Sequence, residues 1–222
     1  MNTLIFIAWV IVALITLIIG FKLFGKVGLI GVMAGSIVMM NILVTKSVTI
    51  FGLGATGGNV LYAIIFLSTD ILSELYGGKE ARKAVMIGFF ISVMMMIAAW
   101  TTLLMVPAEW DFAHESLVTI LSPMFRIVVG SLIAYLISNT LDTYTYDWIR
   151  KKFPKHLWLR NNGSTWTSQL VDTLLFCTIA LLGLMPITAW LQIVLSTYLL
   201  KLFIAAVDTP FLYMAVKMNK KE

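Results

Sequence analysis

Residues 84–106 read AVMIGFFISVMMMIAAWTTLLMV, without one charged side chain. A bilayer core takes roughly 20 apolar residues of α-helix. A helix on the surface of a soluble domain keeps one polar face, and this stretch has none. It is bracketed by Lys79, Glu80, Arg82 and Lys83 before and by Pro107 after, as a membrane span would be. Working outward, similar charge-poor runs recur at 3–21, 27–45, 58–76, 124–146, 166–185 and 187–216. The fold expected is all-α: a polytopic membrane helix bundle of about seven transmembrane helices, forming one integral membrane domain over 1–222. The first run lacks a basic start and a small-residue cleavage site, so it reads as a retained helix rather than a leader. The last is longer than a bilayer requires, so it should tilt or project into water.

Composition agrees. Of 222 residues, 60% are hydrophobic and 12% charged, and the mean hydropathy is +0.95. Soluble domains run near ~25% charged, so lipid must solvate much of this surface. A secreted disulfide scaffold, a disordered chain and an ordinary cytosolic enzyme are excluded. The single cysteine, Cys177, excludes an internal disulfide and a Cys-rich metal site.

Orientation follows from the loops. Lys22, Lys26, Lys79, Arg82, Lys83, Arg150, Lys151, Lys152, Lys155, Arg160, Lys217, Lys220 and Lys221 fall on one side. The opposite loops carry Lys46 alone, against Glu109, Asp111 and Glu115. The basic side is cytoplasmic by the positive-inside rule, which places the N-terminus outside and the C-terminus inside. Trp148, Trp158 and Trp166 then fall near the inner interface, and Trp110 and Trp190 near the outer one. No strand alternation is seen. The Gly-rich stretch 51–58 reads as an outer loop, and 107–122 as an outer lid or interfacial helix.

Seven charges remain inside or near the ends of spans: Arg126, Lys201, Asp70, Glu74, Asp142, Asp172 and Asp208. Each costs ~3 kcal/mol if ionised at mid-bilayer. Unpaired, they would together exceed a typical net stability of ~5–15 kcal/mol. They must pair, neutralise, face a watery cavity or sit at the headgroups, and some could simply be inter-helix glue. Helical spacing shows which can converge. Asp70 and Glu74 share a face, as do Asn139 and Asp142, and Ser168, Gln169 and Asp172. Lys201 and Asp208 lie on one stripe, with a kink expected at Pro210. Arg126 lies about 160° around its helix from Asp142 at 100° per residue.

A transporter with a site between helices suits this distribution. Asn41 adds an amide on the second span, and Tyr62, Phe66, Tyr135, Phe176 and Tyr198 could stack on a flat ligand. An intramembrane enzyme is the competing class, but its motifs are missing. There is no Gly-x-Gly-Asp, Gly-x-Ser-x-Gly or His-Glu-x-x-His. His114 and His156 lie in loops on opposite sides and cannot share a metal. The string Gly77-Gly78-Lys79 lacks phosphate-loop spacing. A structural subunit of a larger membrane complex is a third reading.

The segment Thr69-Asp70-Ile71-Leu72-Ser73-Glu74-Leu75-Tyr76-Gly77-Gly78-Lys79-Glu80-Ala81-Arg82 resembles the signature of the queuosine precursor transporter family, also called the vitamin uptake transporter (VUT) family: T-D-(I/L)-x-x-E-x-(Y/F)-G-x-x-x-A-R. Further similarities follow in order. Arg126 precedes Ala134-Tyr135-Leu136-Ile137-Ser138-Asn139-Thr140-Leu141-Asp142, where the family usually has Gln at the Asn139 position. Ser168-Gln169-Leu170-Val171-Asp172-Thr173 follows, then Lys201 with Thr209-Pro210, and Asn41 on the first shared helix. The resemblance covers 27 to the end and leaves 1–25 as an additional N-terminal transmembrane helix. It implies import of 7-deazaguanine bases (the cyano or aminomethyl form, or queuine) across a prokaryotic cytoplasmic (inner) membrane, without enzymatic activity. The candidate substrate-binding or coupling residues are Asn41, Asp70, Glu74, Arg126, Asn139, Asp142, Gln169, Asp172, Lys201 and Asp208. No cofactor, metal or nucleic acid is expected. The partners are a small heterocyclic base and the lipid bilayer, and a homo-oligomer is compatible with both. The alternative is the substrate-binding membrane subunit of an ATP-driven vitamin importer.

Overall fold

The computed structural model describes residues 1–153 and 157–219, and all their side chains except those at 143, 146, 147, 150, 157–162, 209 and 219. Of the expected basic and interfacial residues, Lys155, His156, Lys220 and Lys221 lie outside the described residues, as do the side chains of Arg150, Trp158 and Arg160.

The chain is a helix bundle. Helix α1 covers Asn2–Leu43 and breaks at Gly25 (φ 57, ψ −139), a conformation that favours glycine. Its two halves then fold back on each other. A Cβ on Gly28 would lie 2.3 Å from the Gly20 carbonyl oxygen, so the halves touch through bare backbone. Thr3, at the start of the first half, accepts a 3.0 Å hydrogen bond from the Phe51 amide, just beyond the end of the second. The two expected spans 3–21 and 27–45 are thus the arms of one continuous hairpin.

The stretch read as a Gly-rich loop is instead a small hairpin. Strands β1 (Ser47–Ile50) and β2 (Leu53–Thr56) pair antiparallel, Ser47 opposite Thr56 and Ile50 opposite Leu53. Phe51 (φ 50) and Gly52 (φ 77) form its two-residue turn, with positive φ at both positions as a type I′ turn requires. The expectation of no strands is corrected here. Four-residue strands carry too few side chains for alternation to show.

A 3₁₀ turn, Gly57–Leu61, leads into α2 (Tyr62–Tyr76). Then follow α3 (Gly78–Leu103), α4 (His114–Leu121), α5 (Met124–Lys152), α6 (Leu157–Phe176) and α7 (Ile187–Asn219). Helix α4 buries none of its residues, and its start is fixed by Asp111 Oδ1, which accepts from the Ala113 and His114 amides at 2.8 and 3.1 Å. Helix α6 continues as a π-helical segment, Cys177–Leu181. Helix α7 stays helical through Pro210, so the bond missing at Ala206 does not end it. At 1.5 Å per residue it is about 50 Å long, longer than a bilayer core.

The burial pattern is that of a membrane protein. On α3 the face with Phe90, Met94, Ile97 and Trp100 is exposed, while Ala84, Gly88 and Ser92 face inward. Buried polar groups include Asn41, Asn59, Ser138, Ser168, Thr197, Lys201 and Asp208. Water would reverse this arrangement; lipid accepts it. Among the described residues five helices are long and apolar enough to cross a membrane, with α1 taken as one. Helix α6 is outside that set because Arg160, Asn161, Asn162 and Asp172 dilute its apolar residues.

Candidate functional site

The second half of α1 and helices α2, α3, α5, α6 and α7 enclose a cavity of about 510 Å³. That lies within the usual range of small-molecule sites, about 300–1,000 Å³.

Its deep end is organised by Lys201. This side chain, 1% exposed, donates to Asp172 Oδ2 at 2.5 Å and lies 4.4 Å over the Tyr62 ring. Ser138 donates to the other carboxylate oxygen of Asp172 at 3.1 Å. The pair thus joins α5, α6 and α7. Tyr62 stacks toward Phe66 with centroids 5.7 Å apart, one turn later on α2, and Phe176 lines the same cavity.

Further out, Asp142 accepts from Ser168 at 3.0 Å, while Asp70, Asn139, Gln169 and Asp208 line the walls. Two acceptor atoms among these, Gln169 Oε1 and Asp208 Oδ2, are buried without a hydrogen-bond partner among the described residues. Such atoms are costly to leave unpaired.

At the other end Ser73, Glu74, Gly78, Arg82 and Tyr213 line the cavity and are exposed, so this is its mouth. The same end carries Lys26, which pairs with Glu80 at 2.5 Å and lies 5.5 Å from the Tyr76 ring centroid. The cavity therefore opens toward the side bearing the basic loops.

The expected set divides. Asp70, Glu74, Asn139, Asp142, Gln169, Asp172 and Asp208 line one cavity, with Lys201 just behind its wall. Asn41 instead sits behind the wall, donating to Ser92 and accepting from Ser131, both at 3.3 Å. Arg126 points away, as its angular offset indicated. It donates to the carbonyls of Ile179 (3.0 Å) and Leu182 (2.8 Å), satisfying oxygens that the π segment leaves open. Trp190 holds the same segment by donating to the Cys177 carbonyl at 2.8 Å. Tyr198 donates to the Trp166 carbonyl at 3.2 Å and does not line the cavity. No group of three or more His, Cys, Asp or Glu able to hold a metal is found among the described residues.

Residues 56–215 match the family model described as "Putative vitamin uptake transporter". The chain belongs to this family. A "Probable queuosine precursor transporter" of Bacillus subtilis (strain 168) is 44% identical over 215 residues, 95% of this chain and 94% of the relative. A second protein of that name, from Haemophilus influenzae, is 28% identical over 160 residues, 71% of this chain and 66% of its own. The "Queuosine precursor transporter" of Escherichia coli (strain K12) is 28% identical over 178 residues, 75% of each chain. No solved structure matches. The chain is a multi-pass membrane protein of a transporter family.

Several cavity residues carried no signal in sequence. Phe89 and Tyr213 lie among other apolar and aromatic residues, and only packing selects them: Phe89 faces Tyr135 at 5.3 Å, and Tyr213 stands at the mouth. Arg82 was legible as part of the quoted motif, though not as a lining residue.

Proposed function

We propose that the protein imports a queuosine precursor, a 7-deazaguanine base, across the cytoplasmic membrane of a prokaryote. The observation that carries this reading is a base-sized cavity lined by carboxylate and amide acceptors and by aromatic rings, in a chain of this family. A deazaguanine presents adjacent N–H and NH₂ donors on one edge, a carbonyl beside them and a flat π-face. Asp70 accepts the paired donors, Gln169 Oε1 accepts a further one, and the Asn139 amide meets the carbonyl. Tyr62, Phe66 and Phe176 supply stacking surface. Asp172 has both oxygens engaged by Lys201 and Ser138, so it shapes the deep end and holds the cation there. A buried site matched to donors in this way rejects analogues that lack them.

In the same reading the chain crosses the bilayer seven times, with each half of α1 and the polar α6 counted as spans. The N-terminus is outside and the basic side cytoplasmic, so the cavity faces the cytoplasm. The chain works without a nucleotide, since none of the motifs that bind one is present. The test is uptake of radiolabelled base by cells unable to synthesise it, with and without this gene. Gene-dependent accumulation that competing deazaguanines block, and adenine does not, is the expected outcome. Accumulation independent of the gene would refute the reading.

A further inference from the structure

The cavity holds more carboxylates than cations. Lys201 pairs with Asp172, and Arg82 stands at the exposed mouth. Among the described residues no Lys or Arg forms an ion pair with Asp70, Asp142 or Asp208.

Asp208 is the most enclosed of these. It is 3% exposed, lines the cavity, and its Oδ2 meets no hydrogen-bond partner among the described residues. An ionised carboxylate with one oxygen shut off from water and no counter-ion beside it is disfavoured, whereas a carboxylic acid is tolerated there. The groups around it do not change this. On α7, Lys201 is committed to Asp172 on α6, and Tyr213 is at the mouth. Helix α2 presents Tyr62, Asp70 and Glu74; α5 presents Tyr135 and Asp142; α3 presents Arg82; the lining of α1 is Ile37 and Met40. Asp70 and Asp142 are the other acids of the cavity wall without an ion pair among the described residues.

We propose that Asp208 is a proton-binding site of the cavity and that import of the base is coupled to inward movement of that proton. This rests on the reading of the protein as a base importer. Acids that line one cavity disfavour each other's ionised form. When the base's donors hold Asp70 as a carboxylate, a second negative charge in the cavity is disfavoured, so Asp208 takes up and keeps a proton, and base and proton travel together. Emptying the cavity at the basic end removes that constraint and lets the proton leave into the open mouth. A metal cation fits less well, because the acids form no cluster able to hold one among the described residues.

The test uses the full chain in proteoliposomes with radiolabelled 7-cyano-7-deazaguanine. Exchange against internal unlabelled base is measured at equal pH, and accumulation under an inward proton gradient or an inward Na⁺ gradient. The infrared carbonyl stretch of protonated carboxyl groups is recorded on purified protein without base. The wild type should accumulate base up to about tenfold per pH unit of gradient, and not under Na⁺. Asp208→Asn should keep exchange, lose gradient-driven accumulation and lose one protonated-carboxyl band; Asp208→Glu should restore accumulation. Accumulation that survives in Asp208→Asn, accumulation driven by Na⁺, or a band that Asp208→Asn leaves unchanged would overturn the proposal. So would loss of exchange in Asp208→Asn, which would make Asp208 a binding or folding group. If the wild type exchanges no labelled base at all, the importer reading fails, and the infrared band decides the proton site alone.

Discussion

Asp172 and Asp70 are both carboxylates in the same cavity, yet their surroundings assign them different work. Asp172 is tied to Lys201 at 2.5 Å, and Lys201 is 1% exposed. Removing one member of such a pair strands the other, at about 3–5 kcal/mol. Lys201→Met should therefore lower the thermal stability of purified protein sharply, and Lys201→Met with Asp172→Asn should recover much of the loss. A double variant destabilised by the sum of the two single losses would show that the pair is not coupled. Asp70 has no such tie to a cation among the described residues, and Asp70→Asn should leave stability unchanged while abolishing uptake. The amide presents a donor where the base also donates, costing a few kcal/mol, or over a hundredfold in affinity. Glu80→Gln removes only a surface pair with Lys26, of a kind that contributes little, and uptake normalised to inserted protein should hardly move. The shared faces of Asp70 with Glu74 and of Gln169 with Asp172 were legible because helical spacing alone fixes them. The partner of each acid was not, because pairing across helices depends on how the bundle closes.

At the scale of elements, the apolar runs were legible because lipid demands them, but α6 (Leu157–Phe176) was legible only in its second half, as part of the run 166–185, because Arg160, Asn161 and Asn162 hide its start. What joins the elements was less so. Gly25 is one glycine among 15, and nothing local distinguishes the one that reverses the chain. Its φ of 57 costs roughly 1–2 kcal/mol in an L-residue, so Gly25→Ala should lower the unfolding midpoint. Gly28→Val should do so more strongly, because its Cβ would collide with the Gly20 carbonyl. Unchanged midpoints in both variants would mean that α1 does not fold back on itself. The hairpin was missed for a different reason. Its turn places Phe51 at positive φ, a conformation that a bulky side chain does not advertise. The hairpin is held from outside by Ser196, whose hydroxyl donates to the Gly54 carbonyl at 2.5 Å.

For the whole molecule, the cavity opens on the side that bears the basic loops. Ser73, exposed at the mouth, gives a reporter of access, since the native Cys177 is buried. A membrane-impermeant thiol reagent should label Ser73→Cys in inside-out vesicles and not in right-side-out ones; the reverse would invert the topology. The most direct measurement is uptake of labelled 7-deazaguanine base by proteoliposomes that contain this chain alone and no ATP. Saturable uptake that Asp70→Asn abolishes is the expected result. Uptake that appears only when an ATPase and ATP are supplied, or that persists at the wild-type rate in Asp70→Asn, would contradict it.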